Sequence, residues 1–261
     1  MNSRAKVYQY ARPVKVAIVG GGFGGLCMAI KLREAGIEDF VLLEKAEQVG
    51  GTWRDNSYPG CACDVQSHMY SVSFDGNPDW SARHRGRKEI QDYILRTTEK
   101  HGIQEKTRFN AEVCGAHFDQ DKALWTLDLK DGSQVVCQHW VLASGPLHVP
   151  QIPNFPGLDR FKGKVFHSSQ WDHDYDLTGK KVVSVGTGAS AIQYVPQIAP
   201  EVERLTVVQR TPGWIIPRDE RRYSKLSKTL FRRFPLLRKL HRVRLYWSNE
   251  SRVVPIFHPR L

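Results

Sequence analysis

Val16-Ala17-Ile18-Val19-Gly20-Gly21-Gly22-Phe23-Gly24-Gly25 decides how this sequence folds. An apolar run without polar alternation, Lys15–Val19, predicts a strand buried on both faces, as in a parallel sheet. Glycines follow at once, then good helix formers over Leu26–Ala35, closed by Gly36. A second apolar strand, Phe40–Glu44, completes a strand–turn–helix–strand unit, half of a doubly wound nucleotide-binding fold. Gly20, Gly22 and Gly25 have the spacing G-x-G-x-x-G. In such a turn the first glycine permits a tight bend. The second lets backbone N–H groups approach a pyrophosphate, and the third lets helix and strand pack closely. The helix N-terminus favours the phosphate charge. A glycine pattern alone is weak. Here Glu44 stands at the end of the next strand, where a carboxylate accepts hydrogen bonds from both ribose hydroxyls, and that context makes the first turn a dinucleotide site.

The pattern recurs. Lys181–Val185 reads as a strand, Gly186–Gly188 as a turn, Ala189–Ile198 as a helix and Leu205–Gln209 as a strand. Gly186, Thr187, Gly188, Ala189, Ser190 and Ala191 repeat the first turn with alanine at the third place. At the end of the following strand stand Arg210 and Thr211, where the first unit has a carboxylate. A guanidinium pairs with a 2′-phosphate that a carboxylate would repel, so the second site is expected to take NADPH. One acidic and one basic site imply two different dinucleotides, and the chemistry that needs both is hydride transfer from NADPH to a flavin.

Between the units, Gly50–Asp64 is rich in Gly, Pro, Asn and Cys and reads as loop. Glu89–His101 reads as an amphipathic helix with Ile90, Tyr93, Ile94 and Thr97 on one side. Ala111–Phe118, Leu124–Leu129 and Gln134–Gln138 alternate around Asp131-Gly132 as hairpin strands. Trp140–Ala143 is a further apolar strand. Pro150, Pro153, Pro156 and Gly157 form a stiff connector suited to a domain crossing. The expected architecture is therefore α/β, with two Rossmann-like dinucleotide-binding domains. Residues 1–150 form the first, with a hairpin insert; 151–216 begin the second, which is incomplete; 217–261 begin a basic helical insertion.

The 261 residues carry a net charge of +11, with 41% hydrophobic and 25% charged residues, ordinary for a globular protein. Thirteen lysines and arginines lie from Pro217 onward against three acidic residues, nearly the whole excess. The rest is close to neutral, which argues against a nucleic-acid partner. No apolar run is long enough to cross a bilayer, and Met1–Lys15 has no apolar core of a secretory signal. Cys27, Cys61, Cys63, Cys114 and Cys137 are irregularly spaced and suit no metal site, so reduced thiols in the cytoplasm are expected. Tyr223–Asn249 mixes Leu226, Leu230, Phe231, Phe234, Leu237, Leu240, Val243 and Trp247 with many cations, interrupted by Pro235. It reads first as the start of a helical insertion with solvated cations. The second reading is an interfacial helix in weak contact with an anionic membrane surface.

Phe161-Lys162-Gly163-Lys164-Val165-Phe166-His167-Ser168-Ser169-Gln170-Trp171-Asp172 resembles the fingerprint of Baeyer–Villiger monooxygenases, class B flavoproteins. N-oxygenating relatives usually carry Tyr or Phe in place of Trp171. Gly51-Thr52-Trp53, Tyr58-Pro59-Gly60 and Cys63-Asp64 resemble a second family motif. Ala143-Ser144-Gly145 with its prolines is similar to the family linker, and Gln209-Arg210-Thr211-Pro212 matches as well. The resemblance runs from Val14 to about Arg218, in the family's order.

The resemblance implies that Gly20, Gly22, Gly24, Gly25 and Glu44 hold the AMP half of FAD. It implies that Thr52, Trp53, Asp64 and Tyr70 line the flavin, and that Val113 contacts the adenine side through its backbone. Thr187 to Gln193, with Arg210 and Thr211, would hold NADPH. Asp64 would orient an arginine near the reacting oxygen, and His167 would sit at the interdomain hinge. The implied reaction is NADPH- and O₂-dependent: a C4a-peroxyflavin attacks a ketone, which rearranges to an ester or lactone. NADP⁺ shields the flavin from water. Two alternatives are N- or S-oxygenation of a heteroatom substrate, and a non-catalytic dinucleotide-binding fragment. The family's arginine, the rest of its second domain and its substrate walls would fall beyond Leu261. A fragment or interrupted reading frame, with negligible turnover alone, is therefore expected.

Overall fold

In the computed structural model the described residues are 12–147, 149–213, 215 and 218–257. They form two compact units, one from residues 12–55 and 91–167 and one from residues 56–90 and 168–257.

The first unit is built on β1 (Val14–Val19), α1 (Phe23–Glu34) and β2 (Phe40–Leu43). Their bounds match the sequence reading to within a residue or two at most ends; α1 begins earlier, at Phe23, directly after the glycines. A short helical turn, α2 (Thr52–Asp55), lies inside the stretch read as loop. Helix α3 (Arg87–Lys100) buries Ile90, Tyr93, Ile94 and Thr97, the side foreseen from spacing. Strands β3 (Thr107–Arg108), β4 (Val113–Asp119), β5 (Leu124–Leu129) and β6 (Gln134–Leu142) complete a six-stranded sheet in the order β3-β2-β1-β6-β5-β4. The four strands β3, β2, β1 and β6 run parallel, while β5 and β4 join antiparallel.

The sheet differs from the sequence reading at β6. Gln138 and His139 suggest a break between two strands, yet one strand of 9 residues runs through them. Its first half pairs with β5 and its second half with β1, Val16 opposite His139. Exposed polar side chains at 138 and 139 leave the backbone ladder intact, because the ladder uses main-chain groups only. Val14, Ala17, Val41, Leu43, Leu127, Val135 and Cys137 belong to one buried apolar cluster of this sheet.

The second unit holds β7 (Lys181–Val185), α4 (Ala191–Ile198) and β8 (Arg204–Val208), a parallel pair with a helical crossover. Val183, Val185, Val207 and Val208 are exposed on this two-stranded sheet. The basic segment forms α5 (Lys225–Arg233) and α6 (Pro235–Phe257), parted at the proline, as the sequence suggests. The Ser224 hydroxyl caps α5 by accepting from the Ser227 N–H at 3.1 Å. Polar ties fasten α6 to the 66–71 segment. Arg242 donates to the carbonyl oxygens of His68 (2.7 Å) and Ser71 (3.0 Å), and the Asn249 and Gln66 amides exchange hydrogen bonds. His68 itself is buried among the rings of Tyr223, Phe231 and His241, with centroids 4.8–5.1 Å away. Burial, with the His241 and arginine charges nearby, pushes its pKa down to about 3.

Among the described residues no helix is long and apolar enough to cross a membrane, and no cluster of His, Cys, Asp or Glu could hold a metal ion. All five cysteines are free.

Candidate functional site

The first turn is shaped by two close approaches. Gly20 has φ +108°, and a Cβ there would lie 2.6 Å from the Ala143 carbonyl oxygen. A Cβ on Gly25 would lie 1.9 Å from the Gly20 carbonyl oxygen. Neither place accepts a side chain without moving backbone. Toward the mouth the restriction disappears: a Cβ on Gly22 would meet only the Gly51 Cα, at 3.9 Å. The bend is pinned by the Gly20 N–H donating to Leu43 O at 2.8 Å and the Gly50 N–H donating to Gly21 O at 2.9 Å. Gly24 lies in the first turn of α1, whose N-terminal N–H groups have no intrahelical partner.

Glu44 follows β2 and is 3% exposed. Its Oε2 accepts from the Gly21 N–H at 2.7 Å; its Oε1 accepts from the Ala46 N–H at 3.0 Å and from Arg54 Nη1 at 2.8 Å. A carboxylate offers about four acceptor positions, so three are engaged within the protein and about one is left for a ribose hydroxyl. The reading that Glu44 serves both hydroxyls without rearrangement does not fit this geometry. Its backbone continues the same anchoring, with the Ala111 N–H donating to Glu44 O at 2.9 Å. Val113 begins β4 two residues on, beside a bulge. The short helix α2 exposes Thr52 and buries Trp53. A strand-to-helix bend, an open mouth and a carboxylate at the next strand end fit the AMP half of a dinucleotide.

The second turn has the same topology and looser packing. Gly186 has φ +97°, its N–H donates to Val208 O at 2.8 Å, and neither Gly186 nor Gly188 has any atom within 4 Å of an added Cβ. Thr187, Ala189, Ser190 and Ala191 lead into α4. Arg210 and Thr211 are exposed two and three residues after β8, whose last residue holds the turn. A cation so placed suits a 2′-phosphate.

Gln193 is fastened within the second unit. Its Nε2 donates to Ala62 O at 2.9 Å, its Oε1 accepts from the Ala62 N–H at 2.9 Å, and Tyr58 donates its hydroxyl to the same oxygen at 3.1 Å. Tyr194 beside it hydrogen-bonds Ser184 of β7 at 2.7 Å and packs against the Trp171 ring, centroids 5.3 Å apart. Burial holds the Tyr58 hydroxyl up at about 12 and the Cys63 thiol up at about 12, so both stay protonated at neutral pH. Asp64 is exposed two residues past Ala62, and Tyr70 is half-buried further along that segment. His167 is half-buried and is the last residue of the first unit, where the chain passes to the second at Ser168.

Within the first unit the structure gathers Gly20, Gly22, Gly24, Gly25, Glu44, Thr52 and Trp53. Within the second it gathers Gly186 to Gln193 with Arg210 and Thr211. Sequence reading missed Arg54, which also donates to Gln48 O (2.6 Å) and Asp55 (2.7 Å). It missed Tyr58 as the partner of Gln193, and Gln91, which donates to Val49 O at 2.7 Å beside the glycines Gly50 and Gly51. The only available signal was that Arg54 adjoins a motif residue and that Tyr58 belongs to the same motif.

Residues 13–253 match the family model described as flavin-binding monooxygenase-like. A Baeyer–Villiger monooxygenase of Pseudomonas aeruginosa is 51% identical over 94% of this chain and 46% of its own length. One from Streptomyces coelicolor is 49% identical over 92% of this chain and 46% of its own. Among solved structures, closed cyclohexanone monooxygenase aligns with a TM-score of 0.77 at 33% identity, over 85% of this chain and 43% of that one. An oxidised steroid monooxygenase bound to NADP aligns at 0.76 and 35% identity, over 84% and 43%. The chain thus spans about half the length of the curated relatives it matches. The chain belongs to the flavin-binding monooxygenase-like family and aligns within it with class B enzymes of the Baeyer–Villiger type.

Proposed function

We propose that this chain carries the cofactor cradles of an NADPH- and O₂-dependent flavin monooxygenase that converts a ketone to an ester or lactone. One observation carries the reading: two strand–turn–helix bends in one polypeptide, one with Glu44 directly after its next strand and the other with Arg210 two residues after its own. FAD, when bound, supplies the redox chemistry, taking hydride from NADPH and activating dioxygen.

The protein's part is to bind, orient and exclude water. The first turn, Gly20 to Gly25, offers backbone N–H groups to the FAD pyrophosphate, and Glu44 fixes the adenosine ribose. Val113 borders the adenine side through its backbone. Thr52 and Trp53 extend from the same rim toward the flavin, and we assign Asp64 and Tyr70 to the flavin surroundings. Asp64 there is a positioning carboxylate. Thr187 to Ala191 cradle the NADPH pyrophosphate, while Arg210 and Thr211 select the 2′-phosphate; Gln193 anchors that turn. His167, at the crossing between units, is a hinge residue. The setting is cytoplasmic, in keeping with five free thiols. Leu236, Leu240, Val243 and Trp247 form an exposed stripe along α6, with cations in the same helix. That stripe supports a weak contact with an anionic membrane surface.

The test is flavin fluorescence titration of the chain with FAD, followed by NADPH consumption with a cyclic ketone and mass-spectrometric identification of the lactone. Saturable FAD binding is expected. A chain that binds neither FAD nor NADPH contradicts the reading.

A further inference from the structure

Arg54 sits where three segments framing the first turn converge. One guanidinium bonds Glu44 Oε1 at the end of β2 (2.8 Å), Gln48 O in the loop after it (2.6 Å) and Asp55 in α2 (2.7 Å). Its side chain is 13% exposed and that of Glu44 4%, so solvent screens the pair little. The planar fork of arginine can serve three acceptors in fixed directions, which a lysine ammonium cannot do from the same place. The same loop turns back on the glycine bend through the Gly50–Gly21 hydrogen bond, and Gly51 approaches Gly22.

Glu44 has rotatable bonds of its own, and one backbone N–H holds each of its oxygens, Gly21 at Oε2 and Ala46 at Oε1. Arg54 adds a charged donor at Oε1 and ties the carboxylate to α2, which carries Thr52 and Trp53. We propose that Arg54 is the positioning residue of the first cradle: acting through Glu44, it sets the affinity for the adenosine half of FAD. This rests on the first cradle being the FAD site. Removing the guanidinium leaves a buried carboxylate with one fewer donor and unties Gln48 and Asp55 together. A charge-assisted hydrogen bond lost at such a place corresponds to a 10- to 100-fold loss of affinity, as an order of magnitude.

The experiment titrates the 261-residue chain with FAD by flavin fluorescence and with NADPH by calorimetry, as wild type, Arg54→Met, Arg54→Lys, Glu44→Gln and the Arg54→Met/Glu44→Gln double variant. Arg54→Met should weaken FAD on the order of 10- to 100-fold, with NADPH binding changed less than about twofold. Arg54→Lys, which keeps the charge and loses the fork, should fall between wild type and Arg54→Met. Losses from Arg54→Met and Glu44→Gln should be markedly less than additive, because one residue acts through the other. Additive losses, or unchanged FAD affinity in both Arg54 variants, overturn the proposal. Absence of FAD binding in the wild type instead overturns the assignment of the cradle. Should Arg54→Met not fold, the Lys variant decides alone, since it retains charge and bulk.

Discussion

The two glycine turns share a topology and differ in what holds them. At the first, a Cβ on Gly25 would come within 1.9 Å of backbone, and the bend lies in a six-stranded sheet above a buried apolar core. At the second, added Cβ atoms on Gly186 or Gly188 meet nothing within 4 Å, and the sheet has two strands. The first cradle is therefore shaped by packing and the second by discrete polar ties such as the Gln193 amide. The difference suits a tightly held flavin dinucleotide at one turn and an exchangeable nicotinamide dinucleotide at the other. It also means the two turns respond differently to the same perturbation.

The largest expected effect is Gly25→Ala. Overlap with backbone forces the strand and helix apart, destabilising the first unit by about 3 kcal/mol or more, within the range of core overpacking or beyond it. Gly188→Ala, chemically the same change, should shift stability by less than about 0.5 kcal/mol. Thermal and denaturant unfolding of both variants checks the contrast; equal losses would erase it.

Gln193→Leu comes next. It keeps the bulk and removes three hydrogen bonds, leaving the Ala62 N–H and C=O without their present partner. A loss of about 1–3 kcal/mol follows, confined to the second unit. Amide exchange should rise around Ala62 and leave β1 and β2 untouched.

The smallest effect is set by pH. His68 is neutral in the folded state, with a pKa near 3 against about 6.5 when unfolded. The unfolded chain then binds the extra proton, so the contribution is full above pH 6.5 and is lost as pH falls from about 6.5 toward 3. The charges of His241, Arg238 and Arg242 lower His68, and those of Arg244 and Arg83 lower His241 beside it in the same direction. Going from pH 7.5 to 5.5 should cost the second unit about 1 kcal/mol through His68, and His68→Phe should lessen the unit's pH dependence by that amount, leaving the part carried by His241 and His84, whose pKa values burial also lowers. Hydrogen exchange resolved by unit would show it; an equal loss in the first unit would contradict it.

How much of this could be read beforehand follows from the range of each interaction. Both turns were legible because a glycine bend makes demands on its own backbone and immediate neighbours. The side of α3 that packs inward was legible from its 3.6-residue period. The continuity of β6 was not, since Gln138 and His139 report side-chain exposure while the strand is held by main-chain pairing with β1 and β5. Nor was the partnership of Gln193 with Tyr58 and Ala62, or of His68 with Tyr223 and His241, because each joins residues more than 130 positions apart. Arg54 lies only 10 residues from Glu44 and was still missed, since nothing in its spacing distinguishes an inward arginine from a solvated one.

Arg210→Ala tests the opposed character of the two cradles most directly. Dissociation constants of the chain for NADPH, NADH and FAD are measured side by side. Losing a charge-assisted contact to the 2′-phosphate should weaken NADPH by on the order of tenfold or more, with NADH and FAD unchanged. Equal weakening of NADPH and NADH, or none of either, would contradict a second cradle that reads the phosphate.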